Sequence, residues 1–165
     1  MRVGVTGHMD LGPETTDLVA EALRAHLLEL RETQPADMIG VSCLAPGADR
    51  IFARILLDMG GRLEVIMPSG EYTAELADPG SDGDPALAEL LSRADFVRPI
   101  AEPLARPQVY VAVNDAMLES VDSLVAVWNG VASTKLGGTA HVVHTARSRS
   151  IPVKIIWPKG ATRQS

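Results

Sequence analysis

Cysteine, aromatic residues and long apolar runs are scarce in this sequence of 165 residues. Its one cysteine, Cys43, excludes an internal disulfide and fits a reducing cytosol. Phe, Trp and Tyr supply two residues each, so the core must come from Val, Leu, Ile and Ala. No stretch approaches the roughly 18 consecutive apolar residues of a membrane span. Met1-Arg2-Val3-Gly4-Val5 enters a strand-like run without the apolar centre of a secretory signal. A soluble, cytoplasmic protein without a membrane partner is expected. Basic residues are outnumbered, 15 Lys and Arg against 21 Asp and Glu, for a net charge of −6. That balance speaks against phosphate-backbone binding as the main task, and nucleic acid is not expected as a partner.

What is present is an ordinary globular composition, 46% hydrophobic and 22% charged. The length suits one domain of roughly 150 residues, large enough to need no staples. Short Val/Ile/Leu runs at residues 3–6, 38–42, 63–67, 96–100, 124–128 and 153–156 read as strands. Longer periodic stretches at 14–31, 48–59, 85–93, 108–120 and 138–148 read as helices. Gly12-Pro13-Glu14 suits a helix start and Gly60-Gly61 a helix end. Asp84-Pro85 caps the short third helix. The strands are continuous rather than alternating in polarity, as in a parallel sheet buried on both faces. An α/β fold is predicted: a doubly wound, mainly parallel, Rossmann-like sheet with helices on both faces. Residues 1–158 form the domain, and 159–165 are expected to fray.

In such a sheet, ligands bind beyond the carboxyl ends of the strands. The segments found there are Thr6-Gly7-His8-Met9-Asp10, then Ser42 to Arg50, then Pro68 to Tyr72, then Trp128-Asn129-Gly130 and Gly137-Gly138-Thr139. Glycines let a ligand approach the backbone, and helix N-termini suit phosphate. Gly137-Gly138-Thr139 has two readings, a phosphate turn or a plain turn with a threonine cap. Gly47-Ala48-Asp49 could equally be a simple helix start. Gly130 to Lys135 imitates a phosphate-loop spacing but lacks its second glycine and its final hydroxyl residue. No G-x-G-x-x-G follows the first strand, and no G-x-S-x-G is present. His141 and His144 could share a helix face, but no third ligand stands near, so no metal is expected. His26 reads as structural, and Cys43 as a small buried residue. No cofactor is expected.

The runs V-G-V-T-G-H at 3–8, L-A-P-G-A-D-R at 44–50, D-x-L-V-A-V-W-N-G at 122–130 and G-G-T-A at 137–140 together resemble the Smf/DprA–LOG superfamily, over nearly the whole chain. The resemblance implies a modified Rossmann sheet that binds nucleotide phosphate. By position, Gly7 and His8 would border the ligand. Ala45, Gly47, Ala48 and Asp49 would form a second wall, and Gly137, Gly138 and Thr139 would hold phosphate. Trp128, Asn129 and Gly130 would flank a base or sugar, and Tyr72 would fold over. Arg50 has two readings, a phosphate partner or a bridge from its helix to the surface.

The superfamily's phosphoribohydrolases resemble P-G-G-x-G-T-x-x-E, and the place of that glutamate is Val142 here. His141 stands where related proteins carry an acid. The expected function is therefore a nucleotide-binding sensor or accessory domain. The alternative is an N-glycosidic hydrolase or transferase using His8, Asp49 or His141. The DNA-processing branch matches poorly on charge and aromatics. A homodimer or higher homo-oligomer is expected, with helix 108–120 presenting either an interface or a core side.

Overall fold

The computed structural model describes residues 1–34, 37–69, 84–100 and 106–164. Its strands are β1 (Arg2–Gly7), β2 (Ile39–Ser42), β3 (Arg62–Pro68), β4 (Phe96–Ile100), β5 (Ser123–Val127) and β6 (Val153–Ile156). Its helices are α1 (Pro13–Thr33), α2 (Ala48–Asp58), α3 (Pro85–Arg93), α4 (Arg106–Leu118) and α5 (Thr139–Ser148). The strands form one sheet in the order β4-β3-β2-β1-β5-β6. Every neighbouring pair is parallel, as strands joined by helical crossovers must be.

Local chemistry explains the helix ends. Gly12 is the extended residue before α1, and Pro13 fills its first helical position, where a missing N–H costs nothing. At α3 the Asp84 carboxylate accepts the Leu87 N–H at 3.2 Å, the cap expected of Asp84-Pro85.

The helices divide between the two faces. Val19, Leu23 and Leu27 of α1, Phe52 and Leu56 of α2, and Leu87 and Leu90 of α3 share one core. Val113 and Met117 of α4 and Val142 and Ala146 of α5 share the other. The residues of β1 and β5 between these layers are almost all buried, which is why they read as unbroken apolar runs. The apolar side of 108–120 thus faces the core, the second of its two readings. The edge strands β4 and β6 are only partly covered.

Two features were not expected. Glu64 of β3 is buried between Arg2 at 2.5 Å and Arg98 at 3.3 Å. The same two guanidiniums reach the carbonyls of Ser120 and Ala116 at the end of α4. The second feature corrects the expected frayed tail. Thr15 Oγ1 donates to the Thr162 carbonyl and accepts the Thr162 N–H, each at 2.9 Å. The Arg163 guanidinium grips the Asp10 carboxylate at 2.7 Å, and the Gln164 N–H donates to the Asp10 carbonyl at 2.9 Å. Polar and backbone groups fasten this tail, so it carries no apolar pattern to betray it.

Candidate functional site

β1 and β5 lie side by side, with Gly7 level with Val127. The strand order reverses here, because β2, β3 and β4 run outward from one side of β1, while β5 and β6 lie on the other. A doubly wound sheet opens its ligand crevice at such a point.

His8 is the hub of this edge. Its N–H donates to the Val127 carbonyl, and its carbonyl accepts from the Ala48 N–H, both at 3.1 Å. Its ring is mostly buried, with the Trp157 indole edge-on at a centroid distance of 5.4 Å. Nε2 lies 3.1 Å from Asn129 Oδ1 and 3.2 Å from the Asn129 N–H. Protonated, it donates to the amide oxygen; unprotonated, it accepts from the backbone. Burial holds the imidazole below its ordinary pKa, and the Asn129 hydrogen bond opposes that shift. Arg163 lowers it further, while Asp10 raises it. His8 is therefore neutral at pH 7, with one nitrogen already committed.

The small residues around His8 serve packing. A Cβ at Gly7 would fall 2.4 Å from the Ala48 Cβ and 2.8 Å from the Val127 Cβ. At Gly47, with φ +81°, a Cβ would fall 2.6 Å from the His8 carbonyl oxygen. Gly7, Gly47 and Ala48 let α2 and the β1–α1 loop meet, leaving no room for a side chain at either glycine. Ala45 beside them is half-buried.

Asp49 and Arg50 face inward. The Ser42 hydroxyl donates to the Asp49 carboxylate at 3.2 Å and accepts the Leu44 N–H at 3.0 Å. Burial pushes the Asp49 carboxyl up to about 7. Hydrogen bonds from Ser42 and from the backbone at Ala45 and Cys43, and the charge of Arg50, pull it the other way. Arg50 binds Asp84 at 2.6 Å and donates to the Leu44 carbonyl at 3.0 Å. This contact joins α2 to the start of α3. The Cys43 thiol is pushed up by burial and by Asp49, so it is no ready nucleophile.

The β5–α5 loop forms the opposite wall. The Trp128 indole N–H donates to the Val131 carbonyl, and Asn129 Oδ1 accepts the Val131 N–H, each at 3.1 Å. Both side chains brace this loop, and Gly130 beside them stands open with φ +80°. Gly138 is the extended residue before α5, with no side-chain cap. The threonine-cap reading fails, since Thr139 is already helical. The Gly138 N–H donates to the Lys135 carbonyl at 3.2 Å, and the lysine stem runs beside Gly138. Asn114 of α4 donates to the Gly137 carbonyl at 3.0 Å.

The remaining candidates lie aside. Val142 is packed in the core, and His141 Nδ1 is buried without a hydrogen-bond partner. Tyr72 falls outside the described residues. Among the described residues, no three His, Cys, Asp or Glu side chains gather as a metal site would need. One hollow, lined by Arg31, Asp37, Met59 and Gly61, lies at the amino ends of the strands, away from this edge. Another runs between α1 and β6, past His26 and Lys154.

Sequence reasoning missed Asn114, Trp157 and Arg163. Inspecting the carboxyl end of every strand finds Trp157 once β6 is included. Asn114 is one of several polar residues in its helix, and Arg163 one basic residue in a polar tail; neither carries a pattern.

The fold and its crevice define a Rossmann-like α/β protein. More particularly, its fold is shared with solved structures of DNA processing protein A and of a Moco carrier protein. No family model matches the sequence, and no curated protein does. Solved structures do. DNA processing protein A of Streptococcus pneumoniae matches at TM-score 0.62 and 16% identity, over 96% of this chain and 51% of that one. DNA processing protein A of Helicobacter pylori matches at TM-score 0.64 and 14% identity, over 99% and 68%. The Moco carrier protein of Chlamydomonas reinhardtii matches at TM-score 0.55 and 17% identity, over 94% and 75%. This chain thus spans about half the length of the Streptococcus protein. At these identities the likeness is one of fold.

The comparison corrects one expectation. The Helicobacter protein binds single-stranded DNA, so this fold does not argue against nucleic acid. Net charge is a sum over the whole surface and says little about one sheet edge. No described helix is long and apolar enough to cross a membrane.

Proposed function

We propose that this chain binds a nucleotide or nucleotide derivative as a sensor or accessory domain, with the phosphate at the start of α5. One observation carries the reading. α5 opens at the same sheet edge as His8 and Asn129, with no capping side chain and no acid in its first turn. Its first-turn N–H groups and its dipole are left for an anion, and Lys135 adds a positive charge beside them. The fold of its structural neighbours supports a binding domain. Glycosidic cleavage is supported less, because Val142 and Asp49 are buried and His8 is tied to Asn129.

The test is calorimetric titration with AMP, NAD, ADP-ribose and a single-stranded oligonucleotide, with products followed by chromatography. The expected result is AMP binding without turnover. Gly138→Asp should weaken it about tenfold or more, because the new carboxylate would occupy the anion's place. Aspartate is also a favoured residue before a helix, so the fold should persist, as circular dichroism would show. Release of base or ribose phosphate would instead make the protein an enzyme. Oligonucleotide binding without mononucleotide binding would move the function to nucleic acid. No binding across the panel would refute the proposal.

A further inference from the structure

All 21 Asp and Glu of this chain lie at or before Asp122. Beyond it come Lys135, Arg147, Arg149, Lys154, Lys159 and Arg163, which include every lysine of the sequence. This acid-free stretch is one side of the molecule: β5, α5, the edge strand β6 and the tail. Arg149 and Arg163 are drawn to Asp115 and Asp10, at 2.6 and 2.7 Å. Among the described residues, no carboxylate pairs with the other four cations. Such a separation of charge within one chain points to an anionic partner.

The same stretch carries the two large apolar side chains most exposed among the described residues, Val131 at 62% and Leu136 at 57%. Both stand in the β5–α5 loop, where residues 130–136 are all exposed. The loop is tied at both ends. The Val131 N–H donates to Asn129 Oδ1 and its carbonyl accepts the Trp128 indole N–H, each at 3.1 Å. The Lys135 N–H donates to Ser133 Oγ and its carbonyl accepts the Gly138 N–H, each at 3.2 Å. Lys159 follows the end of β6, the strand beside β5, so it shares this carboxyl edge. Asp10, an acid at the same edge, is already held by Arg163. Arg147 lies at the far end of α5 and stands apart.

We propose that the β5–α5 loop docks on an anionic lipid bilayer, with Val131 and Leu136 entering the headgroup region and Lys135 and Lys159 meeting its charge. An anionic bilayer uses both features, aliphatic side chains and lysines. A nucleic acid would use the cations, but its phosphates gain nothing from Val131 and Leu136, and its bases stack on exposed aromatic rings. Trp128 and Trp157, the aromatic residues of this stretch, are both half-buried. A protein partner needs a contiguous contact of roughly 800 Å² per side, whereas a bilayer moulds itself to two side chains. The inference stands apart from the nucleotide reading.

The test is sedimentation of the full chain with vesicles of phosphatidylcholine alone and of equal parts phosphatidylcholine and phosphatidylserine. Binding to the anionic vesicles should be about fivefold stronger or more, and should weaken as salt is raised. Val131→Ser with Leu136→Ser should cut that binding about fivefold or more. Lys135→Glu with Lys159→Glu should remove the preference for anionic lipid. All four sites are exposed, so circular dichroism should show both variants folded. If either does not fold, acyl-brominated lipid reads the contact in wild type, by quenching Trp128 at the foot of the loop; unquenched fluorescence would overturn the proposal. No binding to either vesicle, or equal binding to both, also overturns it. So does anionic binding that the serine variant keeps in full, since charge alone would then suffice. An oligonucleotide bound in place of vesicles, and lost only in the glutamate variant, would make this a nucleic-acid surface and overturn the lipid reading.

Discussion

Asp49 is buried against the β2–α2 loop, and this fixes how the protein should respond to pH. Its carboxyl ionises near the ordinary 3.8 in the unfolded chain but is pushed up to about 7 in the fold. Between those values the folded state holds a proton that the unfolded state has lost. Stability from this group is fully present below the lower value and falls as pH rises through the upper one. Asp49→Asn should remove that slope. Urea midpoints at about pH 4.5 and 7.5 would show wild type losing on the order of a few kcal/mol relative to the variant. Equal slopes would mean that Asp49 is ionised in the fold. Residue roles were the least legible part of the sequence. Gly7, Gly47 and Ala48 are small in the pattern of a ligand loop, yet the close approach of two protein segments requires the same smallness. Composition cannot separate those causes, because both demand the absence of a Cβ.

At the scale of elements, the strands and helices were legible for a simple reason. A strand covered on both faces must be apolar throughout, and a helix on a sheet must be apolar on one stripe. Boundaries were less so: the first helix, read as 14–31, extends to Thr33, and the fourth, read as 108–120, spans Arg106–Leu118. The tail was misread because ion pairs and backbone bonds leave no periodic trace. Its grip on the β1–α1 loop suggests Arg163→Ala as a probe. The ion pair with Asp10 is exposed, so stability should change by less than about 1 kcal/mol. Amide exchange at residues 9–12 should nonetheless quicken. The His8 pKa should rise, since Arg163 lowers it and Asp10 raises it. An NMR titration of the His8 ring would check the sign; an unchanged or lower value would show that the tail does not reach the crevice electrostatically.

For the whole molecule, the question is whether two cores behave as one. They lie on opposite faces of a shared sheet, so loosening either removes support from β1 and β5 in the middle. Phe52→Ala, in the first core, should cost about 3–5 kcal/mol. Met117→Ala, in the second, should cost about 2–5 kcal/mol. Each should move a single unfolding transition, read by fluorescence and circular dichroism alike. Two separated transitions in either variant would show that the faces fold independently.

The tail also bears on the order in which this molecule can be completed. Thr15 meets Thr162 across 147 positions of sequence, and Asp10 meets Arg163 across 153. His8 waits across 121 positions for Asn129. During synthesis the first helix and the first three strands can assemble while the crevice still lacks one wall. The β1–α1 loop is secured late, by residues that leave the ribosome more than a hundred codons after it. A nascent chain of this protein should therefore acquire its sheet well before it acquires its binding edge.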